Sequence, residues 1–490
     1  MNIDCFAGGG GASTGLEQAG VKIDIAINHD PAAILMHKTN HPDTIHLTED
    51  IFDVDLSKYL KPTDRVDVMW ASPDCTSHSR AKGGQPRDNG LRILPWSVYR
   101  LCKQIKDITG YLPKLLLMEN VEEIQKWCPI GDNGKPEPKM TGVCYRCFIG
   151  AMTNGVRVVY NGVEIEHLFC SSDYTCDTCK KCSLNYCMQC EYGTEKGKWG
   201  LRPHVQSLGF DFDSRVLVAA DYGAPTTRKR WYAVFRSDGK PIKFPEPTHN
   251  KNGENGLKPW VPVSSVLDWS NLGKSIFSRK KPLAEKTQQR IANGIKKFIV
   301  DNPKPYIVPN EQAITFLIQY HGENVKGDAR GQLVTEPLQT IDTSNRYALV
   351  TAFITKFYKT GTGQSVDEPL HTITTSPGHF GLVSAFLIKY YGGEEQGQAV
   401  DRPLDTITTK DRFGLVNVVL DIDGEKYIIK DIFLRMLKPR ELMLAQGFPE
   451  DYIIDKDYNG NKYPVKEQVA RIGNSVVPIM ARVIAEANMK

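Results

Sequence analysis

The chain has 490 residues, of which 41% are hydrophobic and 24% charged, with a formal net charge of +4. This is an ordinary soluble globular mixture with room for about three domains, and the charge neither demands nor excludes a nucleic-acid partner. No run of about 18 apolar residues occurs, so no membrane span is expected. The opening Met1-Asn2-Ile3-Asp4-Cys5-Phe6 lacks the basic and apolar regions of a secretory signal, which predicts a cytoplasmic protein.

Residues 3–6, 23–27, 66–71 and 115–118 read as short buried strands, each followed by a turn and a helix candidate. That alternation predicts an α/β fold with a doubly wound, mostly parallel sheet. Residues 129–200 change to a Cys-, Gly-, Lys- and Asp-rich texture and read as an insertion. The α/β pattern resumes at 205–235, with strands at 216–219 and 231–235, and a proline-rich stretch at 241–262 marks a boundary.

Within residues 274–304 stand nine basic residues (Lys274, Arg279, Lys280, Lys281, Lys286, Arg290, Lys296, Lys297, Lys304) against two acids, Glu285 and Asp301. Such a stretch can follow a phosphate backbone, or it can be a solvated helix face. An internal repeat follows. Glu336-Pro337-Leu338-Gln339-Thr340-Ile341, Glu368-Pro369-Leu370-His371-Thr372-Ile373 and Arg402-Pro403-Leu404-Asp405-Thr406-Ile407 place their prolines 32 and then 34 residues apart. Each unit opens on a Phe (Phe316, Phe353, Phe386) and closes on Leu-Val, which predicts a β-rich module of stacked units. Residues 437–448 and 465–488 return to helix-and-loop texture. The expected division is 1–128, 129–200 (inserted), 201–250, 251–430 (β-rich) and 431–490 (returning to the first domain).

Eight of the twelve cysteines lie in the insertion: Cys144, Cys147, Cys170, Cys176, Cys179, Cys182, Cys187 and Cys190. Two-residue gaps let both thiolates of a pair face one tetrahedral ion, and eight ligands suffice for two four-cysteine sites. The segment has too few apolar residues to fold around a core, so structural zinc is expected. An iron–sulfur cluster is the rival, because Cys176, Cys179 and Cys182 repeat a ferredoxin-like spacing. The pairing stays open.

The chemistry is expected at strand ends. Phe6-Ala7-Gly8-Gly9-Gly10-Gly11 follows the first strand, and glycines there let backbone N–H groups approach a ligand. Asn28-His29-Asp30 closes the second strand, where a polar group would meet ribose hydroxyls, with Asn28 and Asp30 both open for that role. Glu49-Asp50-Ile51 is placed to take an adenine amino group. The fourth strand ends in Ser72-Pro73-Asp74-Cys75-Thr76, and a cysteine in the crevice of such a sheet can act as a nucleophile. Glu119 ends another strand, and Arg228 and Arg230 follow Thr226. Cysteine, glutamate and paired arginines around one cofactor edge fit attack on a pyrimidine ring. Cytosine C5 cannot accept a methyl group unaided; thiolate attack at C6 makes it an enamine carbon that can. A carboxyl group at N3 stabilises the adduct, arginines can hold O2 and a phosphate, and the base must leave the helix stack.

The order of glycine-rich loop, cysteine loop, Glu119-Asn120-Val121, Arg228-Lys229-Arg230 and Gly473-Asn474-Ser475-Val476 resembles the DNA cytosine-5 methyltransferase family. Arg435-Met436-Leu437-Lys438-Pro439-Arg440 and Gln446-Gly447-Phe448-Pro449 strengthen the resemblance, which covers about half the chain. It implies a Rossmann-like methyltransferase fold using S-adenosylmethionine and acting on double-stranded DNA, as in restriction-modification. Cys75 is then similar to the nucleophile, Glu119 to the carboxyl at N3, and Arg228 and Arg230 to the paired arginines. Phe6 would pack on adenine, and Gly8, Gly10 and Gly11 would line the methionine portion. Asn28 and His29 would meet the ribose, and Asp50 and Ile51 the adenine. Asn474 and Val476 would close the pocket. The 251–430 block occupies the family's target-recognition slot, and a monomer is expected.

Three residues depart from the family pattern: an extra Asp74 between Pro73 and Cys75, Asn28 in place of an acid, and Thr226 in place of glutamine. An exocyclic amino-methyltransferase would begin like Ser72-Pro73 but leaves Glu119-Asn120-Val121 unexplained. An RNA cytosine-5 enzyme shares the chemistry. A silent DNA-binding regulator would not need Cys75, Glu119, Arg228 and Arg230 together.

Overall fold

The short apolar runs near the start of the chain do form a parallel sheet, seen in a computed structural model. It describes residues 1–74, 94–128, 141–153, 158–160, 163–165, 207–302, 304–309, 313–320, 330–356, 386–389, 398–399, 413–416, 419–422 and 425–489. Two compact units emerge: Met1–Val261 with Gln339–Ser344 and Leu442–Lys490, and Pro262–Leu338 with Asn345–Glu441.

In the first unit the strands are β1 (Asn2–Cys5), β2 (Ile25–Ile27), β3 (Ile45–Leu47), β4 (Val68–Ala71), β5 (Leu115–Asn120), β8 (Asp211–Val218) and β9 (Lys229–Arg236), in the order β3-β2-β1-β4-β5-β9-β8. Between β5 and β8 in sequence lies an antiparallel pair, β6 (Val158–Tyr160) and β7 (Val163–Ile165). β1 to β5 pair in parallel, and β9 runs antiparallel to both of its neighbours. The strand order reverses between β1 and β4, so the crevice at their carboxyl ends is where a ligand of such a sheet binds.

The inner strands β1, β4 and β5 are largely apolar on both faces, which a sheet covered on both sides requires. Cys5, Met69, Ala71, Leu116 and Met118 enter one core, while Val68, Trp70, Leu115 and Leu117 alternate into the other. The first core is closed by α3 (Leu94–Thr109) and α4 (Val143–Met152), through Trp96, Leu101 and Phe148. The second contains Ala12 and Leu16 of α1 (Gly11–Gln18) and Met480, Ala481 and Ile484 of a C-terminal helix, Pro478–Met489. α2 (Pro31–Asn40) lies between β2 and β3 in sequence.

In the second unit β12 (Lys274–Ser275), β20 (Glu425–Met436), β15 (Tyr347–Lys356), β13 (Ala313–Gln319) and β14 (Gly331–Gln332) form an antiparallel sheet, with β19 (Val419–Ile422) also paired to β20. A smaller sheet, β17 (Gln398–Ala399), β16 (Phe386–Lys389) and β18 (Phe413–Val416), repeats part of this pattern. In both, the Phe strand lies between two antiparallel partners. Phe316 is in register with Val350 and Leu317 with Gln332; likewise Phe386 is in register with Val416 and Leu387 with Gln398. In the first unit β10 (His249–Asn250) and β11 (Lys258–Pro259) form a short parallel pair. The Pro369 turn of the middle repeat lies outside the described residues. The basic stretch contains α5 (Glu285–Ile295), whose Ile291 and Ile295 are buried against Phe316 and its neighbours, while Lys286, Lys296 and Lys297 are exposed.

Candidate active site

Residues 6–11, 28–30, 49–51, 72–74 and 119–121 lie at or just past the carboxyl ends of β1 to β5, and Arg228-Lys229-Arg230 opens the antiparallel β9 beside β5. β1 delivers Phe6, whose φ of 64° is left-handed, a turn that a bulky residue rarely adopts without support from its surroundings. A Cβ at Gly8 would meet only the Phe6 carbonyl, 4.0 Å away, so the loop has an open face there. Gly10 and Gly11 have another use. At Gly10, with φ of 84°, a Cβ would run into the Tyr452 hydroxyl and His41. At Gly11 it would strike the Val476 carbonyl, and at Gly15 the Pro478 carbonyl. These glycines let α1 seat against the returning C-terminal segment. Val476 itself is buried in the second core, whereas Asn474, at the end of α7 (Val465–Asn474; the short α6 is Pro439–Ala445), is exposed. The helix after it, Pro478–Met489, is α8.

At the end of β2, Asn28 Oδ1 accepts from the Asp30 backbone N–H at 2.8 Å. Asp30 caps α2, accepting from Ala32 N–H at 2.9 Å, and its other oxygen pairs with Arg471 at 2.6 Å. His29 is exposed. After β3, Asp50 Oδ1 accepts from Phe52 N–H at 3.1 Å, and Ile51 is buried in the first core.

Behind the glycine-rich turn runs a buried polar chain that local sequence reading misses. Asp4 accepts from Ser13 Oγ at 2.6 Å; Ser13 Oγ lies 2.9 Å from His37 Nε2, and His37 Nδ1 lies 2.9 Å from His46 Nε2. Burial pushes the Asp4 carboxyl up to about 7, opposed by the Ser13 hydrogen bond. Burial holds His37 well below the usual histidine range and lowers His46 to about 4. The available signal was an acid inside an apolar strand, Ile3-Asp4-Cys5, since a buried carboxyl demands partners.

Glu119 stands at the end of β5, opposite Tyr232 of β9, and is 6% exposed. Both arginines reach it: Arg230 Nε is 3.1 Å and Arg228 Nη2 3.9 Å from Glu119 Oε1. Glu119 Oε1 nevertheless lacks an aligned hydrogen bond. Arg228 also donates to the Gly473 carbonyl at 3.0 Å, joining the arginine pair to the Gly-Asn-Ser-Val segment. The neighbouring Asn120, fully buried, donates to the Pro73 carbonyl at 3.0 Å and thereby fixes the loop after β4 against β5. Cys75, one residue past the described Asp74, lies outside the described residues. Thus the structure brings Glu119, Arg228 and Arg230 together and ties the Ser72-Pro73-Asp74 loop to the residue beside Glu119.

The cysteine insertion divides. Cys144 and Cys147 are one turn apart on α4 and are buried in the first core, with Trp127 and Phe148 among its members. Among the described residues no three His, Cys, Asp or Glu side chains cluster as metal ligands. Cys170, Cys176, Cys179, Cys182, Cys187 and Cys190 lie outside them. Among the described residues no helix is long and apolar enough to cross a membrane.

A doubly wound sheet with a glycine-rich turn at its switch point, and a buried Glu–Arg–Arg cluster two strands away, defines the α/β methyltransferase class. The family model for C-5 cytosine-specific DNA methylases matches residues 1–127 and 203–490, leaving out the cysteine-rich stretch. The chain belongs to that family and is a DNA cytosine-5 methyltransferase, transferring methyl groups to C5 of cytosine in DNA. Type II methyltransferase M.AgeI of Thalassovita gelatinovora is 33% identical over 260 residues, 52% of this chain and 44% of that enzyme. M.AquIA of a Picosynechococcus strain is 23% identical over 277 residues, 54% of this chain and 86% of that protein. The crystal structure of the S. pombe Dnmt2 methyltransferase has 12% sequence identity and a TM-score of 0.42, covering 99% of this chain and 96% of the other.

Proposed function

We propose that the enzyme takes its methyl group from S-adenosylmethionine and delivers it to a cytosine flipped out of double-stranded DNA, through a covalent Cys75–C6 adduct. The observation that carries the reading is the buried convergence of Arg228 and Arg230 on Glu119, beside the loop that leads to Cys75. The open face at Gly8, which a Cβ would fill, fits the methionine portion of the cofactor. Phe6 and Asp50 would hold the adenine. Asn28 or Asp30 would meet the ribose. When bound, the cofactor supplies an electrophilic methyl on its sulfonium.

The chain's own residues do the rest. The Cys75 thiolate adds to C6, and the C5–C6 π electrons pass into the ring, making C5 nucleophilic. Glu119 holds a proton at N3, which stabilises that adduct, while Arg230 and Arg228 hold the carboxylate and are available to O2. Once C5 carries the methyl group, its remaining proton passes to solvent water acting as base, and the C–H electrons restore the C5–C6 double bond as the thiolate leaves C6. Sequence recognition we assign to residues 251–430, using the exposed lysines of the 274–304 stretch and the repeats. The Type II names of the relatives support a modification role.

Bisulfite sequencing of DNA from an expressing strain tests this directly. Protected cytosines should share one sequence context, and a chimera carrying another relative's 251–430 block should move protection to that relative's context. No protected cytosine in DNA, with modified cytosine in tRNA instead, would transfer the reading to RNA. A chimera that keeps the original context would place recognition elsewhere.

Zinc is proposed for the insertion on its eight cysteines, from Cys144 to Cys190, which suffice for two four-cysteine sites. Elemental analysis of anaerobically purified enzyme should find about two zinc ions per chain and no visible absorption band. Iron with sulfide and a brown colour would replace zinc by a cluster, and metal-free protein would end the proposal.

A further inference from the structure

The glycine-rich turn is held from behind by a second set of side chains, and these have no part in the reaction described above. Tyr452 Oη donates to the Gly9 carbonyl at 2.6 Å. Thr14 Oγ1 donates to the next carbonyl, that of Gly10, at 2.7 Å, beside the Thr14 backbone N–H that reaches the same oxygen at 2.9 Å. Between the two hydroxyls sits His41, with Nε2 3.3 Å from Thr14 Oγ1 and 3.4 Å from Tyr452 Oη. Its Nδ1 pairs with Glu17 at 2.9 Å. Tyr452 is 6% exposed, and burial pushes its phenol well above the usual range, so it stays a donor.

In a trans peptide the C=O and N–H point in opposite directions. A hydroxyl that captures the Gly9 carbonyl therefore turns the Gly10 N–H to the opposite side, and one that captures the Gly10 carbonyl does the same for Gly11. Glycine is the residue least able to hold such planes unaided, because its backbone is the least restricted. We propose that Tyr452 and Thr14, held by the Glu17–His41 pair, are positioning residues that aim the Gly10 and Gly11 N–H groups at the carboxylate of S-adenosylmethionine. The inference rests on the cofactor reading above. Amides at a helix start are suited to an anion, and the carboxylate is the anionic group of this cofactor.

The test compares two ligands by calorimetry on the full-length enzyme: S-adenosylmethionine, and 5′-methylthioadenosine, which keeps the nucleoside but lacks the carboxylate. Tyr452→Phe should weaken S-adenosylmethionine about tenfold, the size of one hydrogen bond misaimed, and Thr14→Val about threefold, because the Thr14 N–H still holds the Gly10 carbonyl. Both should leave 5′-methylthioadenosine within about twofold, and Thr14→Ser, which keeps the hydroxyl, should restore the wild-type value. A general loosening of the loop would weaken both ligands alike, and that result overturns the proposal. So does unchanged S-adenosylmethionine binding in both variants. Wild-type enzyme that binds neither ligand would instead overturn the cofactor reading itself.

Discussion

Glu119→Gln lowers the single-turnover methylation rate by roughly 10²–10³-fold, the usual effect of removing one preorganised electrostatic contact, while DNA affinity stays within about twofold. The amide keeps the shape of the carboxyl group. It loses the charge that faces Arg230 at 3.1 Å and Arg228 at 3.9 Å, and with it the means to hold a proton at N3. That interaction strengthens as the adduct forms, so its loss falls on the rate rather than on binding. Affinity for duplex DNA comes mainly from phosphate contacts, which a buried carboxyl does not make. Parallel measurement of single-turnover rate and of binding by fluorescence anisotropy separates the two. Equal losses in both would reduce Glu119 to a binding group.

A still larger effect is expected at Cys75. Cys75→Ser should lose on the order of 10⁴-fold or more in methyl transfer, because a serine hydroxyl is un-ionised at neutral pH and no base is assigned to activate it. S-adenosylmethionine affinity should be retained. Wild-type enzyme should form a denaturant-resistant complex with DNA carrying 5-fluorocytosine, since fluorine at C5 blocks the proton loss that releases the thiolate. The variant should form none. A complex that survives in Cys75→Ser would assign the covalent bond to another residue.

Much of the sheet was legible because its strands announce themselves locally. Residues 3–6, 66–71 and 115–118 are apolar runs, and the structure places β1, β4 and β5 within a few residues of them. Their motifs fall at one sheet edge because parallel strands deliver all their carboxyl ends to the same side. What was not legible depends on partners far away in the chain. The glycines read as ligand-lining include two, Gly10 and Gly11, whose missing side chains make way for Tyr452 and for the Val476 carbonyl, more than 400 residues on. Periodicity carries no information about such a meeting. The repeat was visible as a period, but not that Leu349-Val350 of one unit and Phe353 of the next share the single strand β15. A period marks recurrence along the chain; hydrogen-bond pairing decides where one strand stops.

The two cores of the first unit differ in when they can form. Every member of the first lies between Ile3 and Phe235, so that face of the sheet can close as soon as those residues have left the ribosome. The other needs Val476, Val477, Met480, Ala481, Ile484 and Ala485 to cover Leu16, Ile23 and Trp70. At about 5–20 residues per second, translation of the intervening stretch leaves that face bare for roughly 10–50 s. During that interval the nascent enzyme presents a wet apolar sheet surface, the kind of surface chaperones bind. The helix that completes it is made long after the strands it covers, so this face of the sheet closes later than the other, however fast its strands pair.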